Sequence, residues 1–128
     1  MTQMIEIDGS YEEGGGAIIR TALAMSLLTQ KPFRVTNIRK NRPEPGLKSQ
    51  HLTAFEAIKQ LAPTSKSSYV QLKETQAWFQ PGPLKSGQFS FDIKTAGSIS
   101  LFLQAMLLPC LFAAGKITIT IKGGSWDK

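Results

Sequence analysis

Nine residues, Glu12-Glu13-Gly14-Gly15-Gly16-Ala17-Ile18-Ile19-Arg20, hold the densest chemistry in the sequence. A strand pattern ends just before them and a helix pattern starts inside them. Gly14, Gly15 and Gly16 allow backbone conformations closed to other residues and let a ligand come close to the main chain. The helix that follows offers unpaired N–H groups and the positive end of its dipole, a setting that suits phosphate. Glu12 and Glu13 repel a bare phosphate, so carboxylates here make sense mainly as ligands of a magnesium ion that bridges to it. Arg20, about one helical turn further on, can return the charge they remove.

A second cluster is cationic. Between Lys31 and Lys48, six basic residues (Lys31, Arg34, Arg39, Lys40, Arg42 and Lys48) stand against Glu44 alone, which leaves +5 of the formal net charge of +6. Such concentration favours a polyanion, nucleic acid first among them, over the plain alternative of a solvated face. Within it, Arg39 to Gly46 reads Arg-Lys-Asn-Arg-Pro-Glu-Pro-Gly, a loop whose two prolines stiffen it and are expected to keep its basic side chains displayed. Ser49 is the expected N-cap of the next helix, with Leu52, Phe55, Ile58 and Leu61 on its apolar face and Gln50 and His51 in its first turn.

The scaffold that must hold these groups is sized for one domain: 128 residues, 41% of them hydrophobic. Met4 to Gly9 alternates as a short strand, Ala17 to Thr29 as an amphipathic helix, and Phe33, Val35 and Ile38 face inward from a strand opened by Pro32. Pro63 ends the second helix, Ser65 to Ser68 is a polar connection, and Tyr69–Leu72 and Gln76–Gln80 are expected strands before Pro81-Gly82-Pro83. Phe89–Ile93 and Lys116–Lys122 alternate as strands around the very apolar Ile99–Ala114, an expected helix. That apolar stretch contains Ser100, Gln104 and Pro109 and is shorter than the roughly 20 residues that span a bilayer. Cys110, the single cysteine, excludes a disulfide within the chain and is read as core packing in a reducing compartment. With no secretory signal pattern at the N-terminus, the expected location is the cytoplasm.

The second half echoes the first. Phe-Asp-Ile ending at Ile93 matches Ile-Glu-Ile ending at Ile7, the helix around Gln104 matches that around Arg20, and Gly-Lys-Ile-Thr matches Gln-Lys-Pro-Phe, at offsets of 84 to 86 residues. The reading is a first unit over residues 1–83 and the first half of a second over 84–128. A unit broken at its midpoint leaves sheet edges and an apolar helix face uncovered, so the chain is expected to be the N-terminal part of something longer or to pair with another chain.

Several runs together resemble the N-terminal signatures of the RNA 3′-terminal phosphate cyclase family. They are Ile-Asp-Gly-Ser-Tyr-Glu-Glu-Gly-Gly-Gly at 7–16, Arg20-Thr21-Ala22-Leu23, Lys31-Pro32-Phe33, Ile38-Arg39 with Arg42-Pro43 and Pro45-Gly46-Leu47, and Gln50-His51-Leu52-Thr53-Ala54. Phe79 with Pro81-Gly82, Thr95-Ala96-Gly97-Ser98 and Leu103-Gln104 continue the resemblance in register over nearly the whole chain. It implies an α+β fold, a two-layer α/β sandwich of repeated β-α-β-α-β-β units shared with the enolpyruvyl transferases, here about one and a half units. It also implies chemistry: ATP adenylylates an enzyme histidine, AMP passes to the 3′-terminal phosphate of an RNA, and the adjacent 2′-hydroxyl displaces it to leave a 2′,3′-cyclic phosphate.

By position, Glu13 resembles the family's metal-associated glutamate, a ligand for Mg2+ or Mn2+ near the ATP phosphates, with Gly14, Gly15 and Gly16 beside it. Gln104 resembles a glutamine of the same nucleotide site. Arg20, Arg39, Arg42, Gln50 and His51 resemble residues that hold phosphates of the RNA end or of the nucleotide. Each has a plain structural alternative: Glu13 a helix cap, Gln104 a core amide, His51 a helix-start residue. Glu12 stands where the family has glycine, Ala17 where it has glutamine, and Lys40-Asn41 where it has small residues. The family's nucleophilic histidine lies near the end of a much longer chain, whereas the single histidine here, His51, matches a different position. The resemblance therefore implies that this chain alone does not form the covalent adenylate, and that the missing part or another chain completes it. The runner-up is a non-catalytic relative that binds RNA in ribosome assembly; an enolpyruvyl transferase is the third reading.

Overall fold

The computed structural model describes residues 4–10, 15–93 and 96–123. In chain order they form β1 (Ile5–Asp8), α1 (Gly15–Thr29), β2 (Phe33–Thr36), α2 (Ser49–Leu61), β3 (Lys66–Ser67), β4 (Ala77–Gln80), β5 (Gly87–Asp92), α3 (Ala96–Leu111) and β6 (Ile117–Lys122). The fold is mixed α+β, with three helices and two sheets among the described residues. β1 and β2 run parallel, with Ile5 opposite Phe33 and Asp8 opposite Thr36. Parallel strands need a crossover, and α1 supplies it. β2 then pairs antiparallel with β4, and β4 with β3, giving the order β1-β2-β4-β3. β5 and β6 form a second parallel pair around α3.

Alternation decides the faces. Phe33, Val35, Ala77 and Phe79 point into the core, where Phe79 meets Phe33 at 6.0 Å and the edge of Phe55 on α2 at 6.2 Å between ring centres. Arg34 and Trp78, opposite each other on β2 and β4, lie on the outer face of the same sheet. In the second sheet Phe91 packs edge-on against Phe102 of α3 at 5.2 Å. One hydrophobic cluster joins both sheets and all three helices, and α3 packs against both α1 and α2. No helix among the described residues is long and apolar enough to cross a membrane.

Three local expectations need correction. Tyr69–Leu72 is not a strand: Tyr69 is 80% exposed, and the backbone that follows bonds to the loop after β2 through Lys73 N–H to Leu47 O and Leu47 N–H to Glu74 O, both 2.9 Å. The short strand lies earlier, in the polar stretch expected to be a connection, because Lys66 and Ser67 meet Gln80 and Phe79. The N-cap of α2 is Lys48 rather than Ser49: Ser49 is already helical, and the imidazole of His51 reaches back to accept from Lys48 N–H. Pro109 is accommodated inside α3 near its end, where the last turn closes with shorter-range bonds from Phe112 N–H to Pro109 O and Ala113 N–H to Cys110 O. Cys110 is half-buried at the margin of the core, where burial pushes its thiol pKa up.

Candidate phosphate and nucleic-acid site

Because β1 and β2 are parallel, their carboxyl ends lie at one edge of the sheet, with Asp8 beside Thr36. The glycine-rich segment leaves from the first and the basic loop from the second. In open α/β sheets this edge is where ligands bind, since helix N-termini and flexible loops converge there. α1 opens from it at Gly15-Gly16, and α2 begins at Ser49 where the basic loop ends.

The two segments are clipped together. Asp8 Oδ1 accepts from Ser10 N–H at 3.0 Å, Ser10 Oγ–H at 2.7 Å and the Asn37 side-chain amide at 3.3 Å. These bonds, the Ser10 hydroxyl first, hold the Asp8 carboxyl below its usual pKa, with a smaller contribution from Lys40. Gly9 N–H donates to Thr36 O at 2.6 Å, and a Cβ on Gly9 would stand 2.8 Å from that oxygen. Asp8 and Asn37 were missed in the sequence. The signal available was Asp-Gly-Ser, a turn in which the aspartate binds the backbone two residues on.

The basic loop does not display all of its cations, contrary to the expectation from its prolines. Arg39 is 8% exposed, with a backbone φ of 52°, and its guanidinium donates inward to the carbonyls of Glu44 and Gly46, the latter at 3.1 Å. It is the internal strut of the loop. Lys40, Arg42 and Lys48 are exposed. Gly46 has a φ of +92°, and a Cβ there would collide with the Lys73 backbone. The loop is thus seated against residues 73–75, with Ile38 N–H bound to Thr75 O at 2.9 Å.

His51 lies in the first turn of α2, as expected, but is 1% exposed. Its Nδ1 accepts from Lys48 N–H at 2.9 Å, so the ring proton belongs on Nε2, a buried atom without a partner among the described residues. Burial lowers its pKa to about 4, with the nearby Arg39 and Lys48 charges adding to the effect. The imidazole is neutral at physiological pH.

The structure gathers Arg39, Lys48 and His51 around the start of α2, with Gln50 half-exposed on the first turn. Arg20 is half-buried in the second turn of α1. Gln104 is exposed midway along α3, and no hydrogen bond among the described residues links it to either loop. Glu12, Glu13 and Gly14 lie outside the described residues. Among the described residues no three His, Cys, Asp or Glu side chains cluster as a metal site. What is described suits polyphosphate and a polyanionic chain: α1 and the basic loop both follow strands that end at this sheet edge, Lys40 lies near Asp8 there, and Lys40 and Arg42 are exposed.

Comparison with known proteins gives this mixed α+β chain a family. Residues 11–128 match the family described as RNA 3′-terminal phosphate cyclase, and the chain belongs to that family. It is 56% identical over 124 residues to an RNA 3′-terminal phosphate cyclase of Sulfolobus acidocaldarius, covering 95% of this chain and 36% of the relative. The corresponding protein of Archaeoglobus fulgidus is 48% identical over 122 residues, covering 95% and 37%. That of Pyrococcus furiosus is 48% identical over 127 residues, covering 97% and 37%. The chain spans about a third of the length of these relatives.

Proposed function

We propose that this chain supplies the phosphate-holding portion of an ATP-dependent RNA 3′-phosphate cyclase, which converts an RNA 3′-terminal phosphate to a 2′,3′-cyclic phosphate. The observation behind this is the convergence of the glycine-rich segment, the basic loop and the α2 N-terminus at the carboxyl edge of the β1–β2 pair. In this reading Arg42 and Arg20 hold phosphate oxygens, Lys40 adds field, and Gln50 donates from the first turn of α2. Arg39 and His51 keep the loop and helix in place rather than touching substrate, because both are buried and bonded to the backbone. Gly14, Gly15 and Gly16 admit the ATP phosphates to the main chain, and Gln104 stands on the nucleotide side.

Glu13 is proposed to hold Mg2+ or Mn2+, which when bound offsets phosphate charge. Residues 1–83 and 84–128 are proposed as one repeat unit and half of the next. The remaining part, or another chain, completes the active site with its nucleophilic histidine. The proposed location is the cytoplasm.

The test incubates the full-length gene product with ATP, Mg2+ and an RNA ending in a 3′-phosphate. A phosphatase-resistant cyclic end is expected, and its absence refutes the enzyme. A second reading, a cyclase-like protein that binds RNA in ribosome assembly without catalysis, is favoured for the isolated chain by its single histidine being buried, with Nδ1 already bonded to Lys48 N–H and no nitrogen open to attack ATP. Transfer of label from α-labelled ATP to protein separates the two: labelling supports the enzyme, its absence the binder.

A further inference from the structure

The outer face of the four-stranded sheet carries a groove that the phosphate site does not use. It is lined by Arg34, Ser68, Tyr69, Glu74, Gln76 and Trp78. Tyr69 is 80% exposed, Trp78 half-buried, and Arg34 lies directly across from Trp78 in the sheet register. Lys66, paired with Gln80 on the neighbouring strand, is also exposed. An open sheet face with aromatic side chains and flanking cations is how single-stranded RNA is held without sequence preference, since every base has a face to stack and every nucleotide a phosphate to neutralise.

Position gives the groove its occupant. The segment that starts at Tyr69 leads into residues 73–75, whose backbone is bonded to Ile38 and Leu47 at the two ends of the basic loop. From Thr75 to Trp78 is three residues, about 10 Å along an extended chain. A strand of RNA with its 3′-phosphate at the basic loop can therefore turn over the sheet edge and meet Trp78 within a nucleotide or two. We propose that this groove stacks an unpaired base of RNA upstream of the 3′ end, between Tyr69 and Trp78, with Arg34 on the adjoining phosphate; the placement of that 3′ end rests on the function proposed above. Two carboxylates face the groove and are compatible with this. Glu6 pairs with Arg34 at 3.7 Å in an exposed contact that a phosphate can replace, and Glu74 Oε2 accepts from the Gln71 side chain at 3.1 Å and remains an acceptor for a base amine or 2′-hydroxyl.

The test measures binding of a fluorescent single-stranded RNA octamer to the 128-residue chain. It is run once with a 3′-hydroxyl and once with a 3′-phosphate, for the parent and for the Tyr69→Ala, Trp78→Ala and Trp78→Phe variants, with folding checked by circular dichroism. Loss of one stacked base should weaken both RNAs by roughly ten-fold in Tyr69→Ala, whose side chain is too exposed to matter for folding, while Trp78→Phe stays near the parent. The ratio between the two RNAs, which reads the basic loop, should not change. Unaltered affinity in Tyr69→Ala and in a folded Trp78→Ala overturns the stacking groove. A Tyr69→Ala effect confined to the 3′-phosphate RNA also overturns it. If the parent shows no preference for the 3′-phosphate yet Tyr69→Ala weakens both RNAs, the groove stands and the cyclase reading of the basic loop falls.

Discussion

Lowering the pH from 7 to 5 should remove about 2 kcal/mol of stability from this chain through His51 alone. The imidazole titrates near 6.5 when unfolded and at about 4 in the fold, because burial and the charges of Arg39 and Lys48 oppose a proton there. Between those values the unfolded chain takes up a proton that the folded chain refuses, so acid favours unfolding. The contribution is complete above the unfolded value, falls as pH drops through 6.5 toward 4, and does not change further below 4. Over the whole window it amounts to about 3 kcal/mol, at roughly 1.4 kcal/mol per pKa unit. Urea unfolding at pH 7 and pH 5 measures it, with His51→Asn as the reference. The asparagine oxygen can accept from Lys48 N–H but does not titrate, so that variant should start less stable and lose little between the two pH values. His51 is the only histidine, so its ring proton resonances also give the pKa directly. Equal losses in parent and variant, or a resonance midpoint near 6.5, would refute the buried neutral imidazole.

Other outcomes follow from single features. Gly46→Ala forces a side chain onto a φ of +92° and into the Lys73 backbone, and should cost about 2 kcal/mol or more in urea unfolding while loosening the basic loop. Leu107, Leu111 and Phe112 are 60%, 75% and 72% exposed at the end of α3, so replacing Leu111 and Phe112 with serine should reduce dye binding and concentration-dependent association. Stability in that double variant should shift by less than about 0.5 kcal/mol, as read by thermal unfolding.

The element order was legible because it rests on periodicity. Ile117, Ile119 and Ile121 alternate with Thr118 and Thr120, and Phe55, Ile58 and Leu61 recur at helical spacing, and both patterns survive in the fold. Pairing was less legible. Lys66-Ser67 became a strand only because β4 lies beside it, a tertiary fact that no local pattern in a serine-rich stretch announces. The same limit hid the Asp8–Asn37 clip, whose partners are 29 residues apart and meet only because β1 and β2 are parallel and in register. For the site, residue types pointed to phosphate, but direction did not follow from type. Arg39 and Arg42 look equivalent in sequence, and His51 resembles a phosphate-holding residue by position; burial sets Arg39 and His51 apart from Arg42.

That separation has a consequence for binding. A loop with two prolines still samples many arrangements unless something fixes its middle, and Arg39 does so by bonding the carbonyls of Glu44 and Gly46 from inside. Arg42 is then presented with part of its ordering already done, which lowers the entropic cost of gripping a phosphate. Arg39→Ala should thus lower affinity for an RNA 3′-phosphate several-fold although its side chain is buried, and should cost about 2 kcal/mol of stability by leaving the buried Gly46 carbonyl without its donor. Arg42→Ala should lower the same affinity with stability unchanged, since its side chain is exposed. If the strut acts through Arg42, the double variant should lose less affinity than the two single losses combined. Strict additivity, measured by RNA titration on folded variants, would mean that Arg39 supports the fold alone and that Arg42 finds phosphate without it.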